Sequence, residues 1–142
     1  MQYCMNCLFC DILERKVKAH FVYEDNSHVA ILDKYPIQLG HTLVMPRDHH
    51  EKITDMNTEN VSTLFSKIPG IARAILEVTK ADGFNIGQNN GKAANQIIPH
   101  VHVHIIPRYS NTGPGWTKRM ISNEADLENL AAKVRKCVQP VQ

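Results

Sequence analysis

Pro99-His100-Val101-His102-Val103-His104-Ile105-Ile106-Pro107 sets three imidazoles in alternation with valines, between proline and aliphatic flanks. Period-two alternation with β-branched fillers predicts a strand. On it, His100, His102 and His104 share one face while Val101, Val103 and Ile105 share the other. Same-face neighbours on a strand lie roughly 7 Å apart, and the outer two histidines about 13 Å. Zinc bonds imidazole nitrogen at about 2.0–2.1 Å. A single extended segment therefore does not bring all three rings to one ion, and at least one ring is left for another task.

Immediately before this strand runs an amide-rich loop, Gln88-Asn89-Asn90-Gly91-Lys92-Ala93-Ala94-Asn95-Gln96. Side-chain amides, a glycine and a lysine put several donors at one sharp turn, a means of holding a phosphate. Asn-Gly is also an ordinary turn dipeptide, and the loop gains meaning only from the aligned imidazoles it feeds. Upstream, Gly83–Gly87 reads as a strand. A helical pattern over roughly 58 to 80 buries Val61, Leu64, Phe65, Ile68, Ala72, Ile75 and Leu76. Asn57 is its N-cap, and Pro69-Gly70 is placed to kink or interrupt it.

Nearer the N-terminus, Phe21–Glu24 and Val29–Leu32 read as strands joined by a turn at Asp25-Asn26-Ser27, and His41–Pro46 as a third. Asp11–Arg15 is a short helical segment. A last amphipathic helix, about 124 to 137, carries Leu127, Leu130, Ala131, Val134 and Val138. With no repeat or linker to divide it, residues 1–142 form a single α+β domain with a mainly antiparallel five-stranded sheet.

A chain of 142 residues with 43% hydrophobic and 21% charged residues is globular rather than disordered. A net charge of +2 gives no argument for a nucleic-acid or membrane partner. No apolar run matches a secretion signal or a membrane span, which makes the expected location cytoplasmic. Cys4, Cys7 and Cys10 stand in Cys-x-x-Cys-x-x-Cys, with Cys137 far away. In an intracellular chain such spacing points to metal or redox chemistry before disulfides. No strand precedes Cys4 to build a thioredoxin-like site, whereas a zinc knuckle would find its further ligands among the histidines.

His100-Val101-His102-Val103-His104-Ile105-Ile106 resembles the His-x-His-x-His-x-x signature of the histidine triad (HIT) superfamily. Further landmarks follow in the family's order. They are Cys7-Leu8-Phe9-Cys10, Tyr23-Glu24-Asp25, Ile31-Leu32-Asp33, Gly40-His41-Thr42-Leu43-Val44-Met45-Pro46 and Ile105-Ile106-Pro107-Arg108-Tyr109, and the resemblance spans roughly residues 4 to 116. It implies a compact α+β unit that pairs into a homodimer. It also implies a nucleotide hydrolase or transferase acting at the α-phosphate, most like the purine nucleoside phosphoramidase branch. The alternatives are a dinucleoside polyphosphate hydrolase, a nucleotide-binding protein with little activity, and a protein whose cysteines and histidines serve metal alone.

Carried onto this chain, the resemblance makes His102 the nucleophile and His104 a donor to the phosphate oxygens, with Gln96 in the phosphate loop. Asn89 reaches the phosphate or leaving group, Asp33 accepts from the ribose hydroxyls, and Ile31 walls the base pocket. Cys7, Cys10, His49 and His100 form a closed structural Zn²⁺ site, with His50 an alternative to His49 and Cys4 to one of the cysteines. Two positions depart from the family pattern. Asn95 stands where glycine is usual, in a turn whose left-handed backbone asparagine tolerates. Ile97 stands where serine or threonine is usual and offers the leaving group only its backbone N–H.

Overall fold

In a computed structural model, residues 6–138 are described; Cys4 lies outside them. Five strands form one antiparallel sheet: β1 (Phe21–Glu24), β2 (His28–Leu32), β3 (Thr42–Pro46), β4 (Gly83–Gly87) and β5 (Val103–Arg108), in spatial order β1-β2-β3-β5-β4. Four helices accompany them: α1 (Leu8–Leu13), α2 (Thr58–Ser66), α3 (Ile68–Thr79) and α4 (Glu124–Cys137).

Every residue of β2 and β3 is buried, because both faces of the sheet are covered. Alternate residues serve two cores. Ala30, Leu32, Val44, Val103 and Ile105 pack with Leu64, Ile71, Ile75, Leu127 and Val134 from the long helices. Val29, Ile31, Leu43 and Met45 pack with Phe9, Ile12 and Leu13 of α1. The helix-covered core is the larger, and each buried aliphatic side chain in it contributes about 1.5–3 kcal/mol against exposure.

Local chemistry sets the boundaries. Asn57 caps α2 by accepting from the Asn60 N–H at 2.7 Å, and Asn123 caps α4 through the N–H groups of Ala125 and Asp126. The hairpin turn between β1 and β2 is held by Asp25, whose Oδ1 accepts from the backbone of Ser27 and His28. The helical pattern over 58–80 is divided at Lys67, two residues before the proline, and Pro69 occupies the first turn of α3, where its missing N–H costs no bond.

Three expectations need correcting. Phe65, read as part of the buried helical face, is exposed. The helix expected at 11–15 begins at Leu8, because the Cys7 side chain accepts from the Cys10 N–H at 3.3 Å and caps it. The histidine segment is extended in the sheet only from Val103, since residues 98–100 bend. His100 and His102 therefore precede the ladder. Face alternation survives nonetheless: Val101, Val103 and Ile105 enter the helix-covered core, and His100 and His102 turn toward Phe9 on the opposite side. Among the described residues no helix is long and apolar enough to cross a membrane.

Candidate active site and metal centre

The bend at 98–100 separates the tasks of the three histidines. His100 is fully buried, and its Nε2 lies 2.8 Å from the carbonyl oxygen of Pro46. A carbonyl can only accept, so Nε2 carries the proton and the Nδ1 lone pair faces the other way. There it meets Cys7 Sγ at 3.6 Å, Cys10 Sγ at 3.7 Å and His49 Nδ1 at 3.3 Å, while Cys10 Sγ and His49 Nδ1 are 3.4 Å apart. A tetrahedral zinc with Zn–S about 2.3 Å and Zn–N about 2.0–2.1 Å requires N–N and S–N edges of roughly 3.3–3.6 Å. The four expected donors converge with the spacing such an ion needs. Burial pushes the Cys7 thiol up to about 11 and His100 down to about 4, so burial alone favours the uncharged form of both groups.

His102 faces the site. Its Nδ1 lies 2.7 Å from the His100 carbonyl oxygen, which again fixes the proton on that nitrogen and leaves Nε2 with a free lone pair. The Phe9 ring meets it edge-on at 4.9 Å between centroids. Burial lowers the His102 pKa, which keeps the ring neutral.

His104 is tilted against His102 at 4.9 Å between ring centroids, nearer than strand geometry alone predicts because His102 lies before the ladder. Its tautomer is set by a residue the sequence did not single out. The Ile37 N–H donates to His41 Nδ1 at 3.0 Å, so His41 carries its proton on Nε2 and donates it to His104 Nδ1 at 2.8 Å. His104 then holds its own proton on Nε2. Burial pushes His104 down to about 4 and His41 further still, so both rings are neutral. Asp33, His41 and His104 come close enough to suggest a second metal cluster. The committed protons argue otherwise, because His41 has no lone pair on Nε2 while Ile37 donates to its Nδ1.

The loop before the triad is braced by Gln96. Its Oε1 accepts from the Gly91 N–H at 2.6 Å, and its Nε2 donates to the carbonyls of Glu51 and Ile98. The side chain is thus committed to backbone and shapes the loop. Asn95 adopts the left-handed conformation, φ 66°, as its glycine-like position requires, and Asn89 Nδ2 donates to its carbonyl at 3.3 Å. Ile97 is 75% exposed. Ile31 is almost wholly covered within the α1 cluster. Asp33 sits just beyond β2, accepting from the Tyr35 N–H at 2.9 Å and from Arg119 Nη1 at 2.7 Å. Sequence reading missed both His41 and Arg119. The first had a signal, a lone imidazole opening an otherwise apolar strand; the second, 86 residues from Asp33, had none.

The HIT domain family matches residues 14–111. The chain belongs to the HIT family. A HIT-like protein of Saccharolobus solfataricus is 40% identical over 132 residues, covering 93% of this chain and 94% of that one. An adenylylsulfatase of Arabidopsis thaliana is 34% identical, covering 94% and 68%. An adenosine 5′-monophosphoramidase of Schizosaccharomyces pombe is 31% identical, covering 92% and 100%. Among HIT structures, one from Bartonella henselae superposes with a TM-score of 0.87 at 31% identity, covering 96% of this chain and 99% of its own. A zinc-bound HIT-family protein of Mycobacterium smegmatis gives 0.81 at 36%, covering 94% of each.

Proposed function

We propose that this HIT protein hydrolyses or transfers the nucleotidyl group of purine nucleoside phosphoramidates or related nucleotide conjugates, by attack of His102 at the α-phosphate. One observation carries the reading: the bond from His102 Nδ1 to the His100 carbonyl, which leaves a neutral ring with its Nε2 lone pair free. That nitrogen forms a bond to phosphorus as the bond to the leaving group breaks, and the leaving amine departs with the electron pair and gains a proton from solvent. Water then attacks the nucleotidyl-histidine, restoring the free imidazole and releasing the nucleotide. His104 donates its Nε2 proton in a hydrogen bond to a non-bridging oxygen, and His41 holds it in that tautomer. Gln96 and Asn89 shape the phosphate loop, Asp33 accepts from the ribose hydroxyls, and Ile31 backs the base pocket from beneath.

Cys7, Cys10, His49 and His100 would hold Zn²⁺, supported by their tetrahedral spacing and by the zinc-bound relative. When bound there, the ion would supply the positive charge that keeps both sulfurs as thiolates, and the four residues would fill its coordination as a closed structural site. The same proposal includes a homodimer, supported by the edge strand β4, which leaves Phe84 and Ile86 exposed. Names of two relatives, a phosphoramidase and an adenylylsulfatase, support a nucleotide conjugate as substrate. A dinucleoside polyphosphate would use the same nucleophile with another leaving group. The exposed Ile97, lacking a hydroxyl for that group, favours a second reading in which nucleotide binds but turns over slowly.

The test is hydrolysis of an adenosine phosphoramidate by wild type beside His102→Ala and His102→Asn. AMP release by wild type, lost in both variants while fold and metal content persist, supports the proposal. Binding of AMP without release supports the slow binder, and neither binding nor release rejects both.

A further inference from the structure

We propose that Arg119 makes the ribose end of the site accept nucleotides carrying a second phosphate on a ribose hydroxyl. This rests on Asp33 being the ribose-binding carboxylate. The segment after β5 returns across the end of the sheet, where the Met120 N–H donates to the Pro36 carbonyl at 2.8 Å. Arg119 Nη1 there donates to Asp33 Oδ2 at 2.7 Å and to the Tyr35 carbonyl at 2.9 Å. Both bonds use one nitrogen. Nη2 and Nε bond to no described residue, and the side chain is 37% exposed. The guanidinium is therefore anchored with spare donors facing solvent.

Asp33 has spare capacity as well. Tyr35 N–H takes one lone pair of Oδ1 and Arg119 one of Oδ2. His41 Nε2 is 3.7 Å from Oδ2, but its proton is committed to His104. One acceptor direction remains on each oxygen, enough for the diol of AMP and more than enough for the single hydroxyl left on a ribose that carries a 2′- or 3′-phosphate. Hydroxyls donating there bring the ribose oxygens beside the guanidinium. An unpaired carboxylate at that position would repel a ribose phosphate. Asp33, with its charge offset by the cation, does not, and the free guanidinium nitrogens can take phosphate oxygens in a fork. Other nucleotide sites read the same ribose position in two ways, a carboxylate for a free hydroxyl or an arginine for a phosphate. Here both groups stand in one ion pair.

Calorimetric titration with AMP, adenosine 2′,5′-bisphosphate and adenosine 3′,5′-bisphosphate at constant ionic strength tests this in wild type and Arg119→Gln. Wild type should bind at least one bisphosphate no more weakly than AMP. In Arg119→Gln that bisphosphate should weaken about tenfold or more, as loss of a charged hydrogen bond implies, while AMP changes by less than about threefold. Two results overturn the inference: bisphosphates far weaker than AMP in wild type, or equal weakening of AMP and bisphosphate in the variant. Failure of wild type to bind AMP would instead overturn the ribose reading beneath it.

Discussion

His104 takes a hydrogen bond from His41, 63 residues earlier, and this bond decides which of its nitrogens can donate to a substrate. The two rings therefore act as one unit. His41→Phe, which keeps a ring but removes both the acceptor and the donor, should lower kcat about tenfold or more and leave KM nearly unchanged, because the bond matters most where charge develops. Steady-state kinetics on the phosphoramidate, with His102 intact, checks the split. The same burial has a consequence for stability. His104 is pushed from an ordinary value near 6.5 to about 4, so protonation favours the unfolded chain. Its contribution is complete above pH 6.5, falls progressively below it, and is gone below about 4. Urea midpoints should accordingly drop between pH 7 and pH 4.5, and a flat profile would contradict the assignment. Of these residues, alternation marked the three histidines, and the family resemblance divided their roles. His41 was visible only as a lone imidazole opening an apolar strand, a signal that does not name its partner on another strand.

Elements were legible wherever a cap or a period wrote them into short windows. Asn57, read as a cap, stands where α2 begins, the apolar period over 124–137 marks α4, and Gly83–Gly87 is the strand its pattern predicts. The histidine segment misled because alternation cannot report a bend. Residues 98–100 turn so that His100 reaches the cysteines, a demand made by residues 90 and more positions away. Asn95 shows a local rule operating at the site. Its φ of 66° makes Asn95→Gly tolerable, whereas Asn95→Ala should cost about 1–2 kcal/mol. Denaturation of both variants measures this directly. Equal loss of stability in both variants would mean that the asparagine side chain, and not its backbone, holds the turn.

Across the whole molecule the sheet divides two unequal cores, and the smaller depends on the four-residue cluster. α1 carries Phe9 against His102 and is capped by Cys7, so one helix joins the cluster to the proposed nucleophile. Zinc removal by a chelator should lower the melting temperature and reduce activity, and readdition should restore both. The core beneath α2, α3 and α4 should keep its helical signal at 25 °C meanwhile. Complete unfolding on chelation would show the two cores to be one cooperative unit. The overall architecture could be read from the sequence because most of it follows from local periodicity and family landmarks. The C-terminal return that sets Arg119 on Asp33 could not, having neither.

Cys7 and His100 touch across 93 residues of chain. During synthesis the cysteines leave the ribosome first, and at about 5–20 residues per second His100 follows roughly 5–20 seconds later. For that interval two thiols destined for burial are accessible to oxidants and to competing metals, so the order in which the polypeptide is made sets a window of vulnerability that the finished fold no longer has.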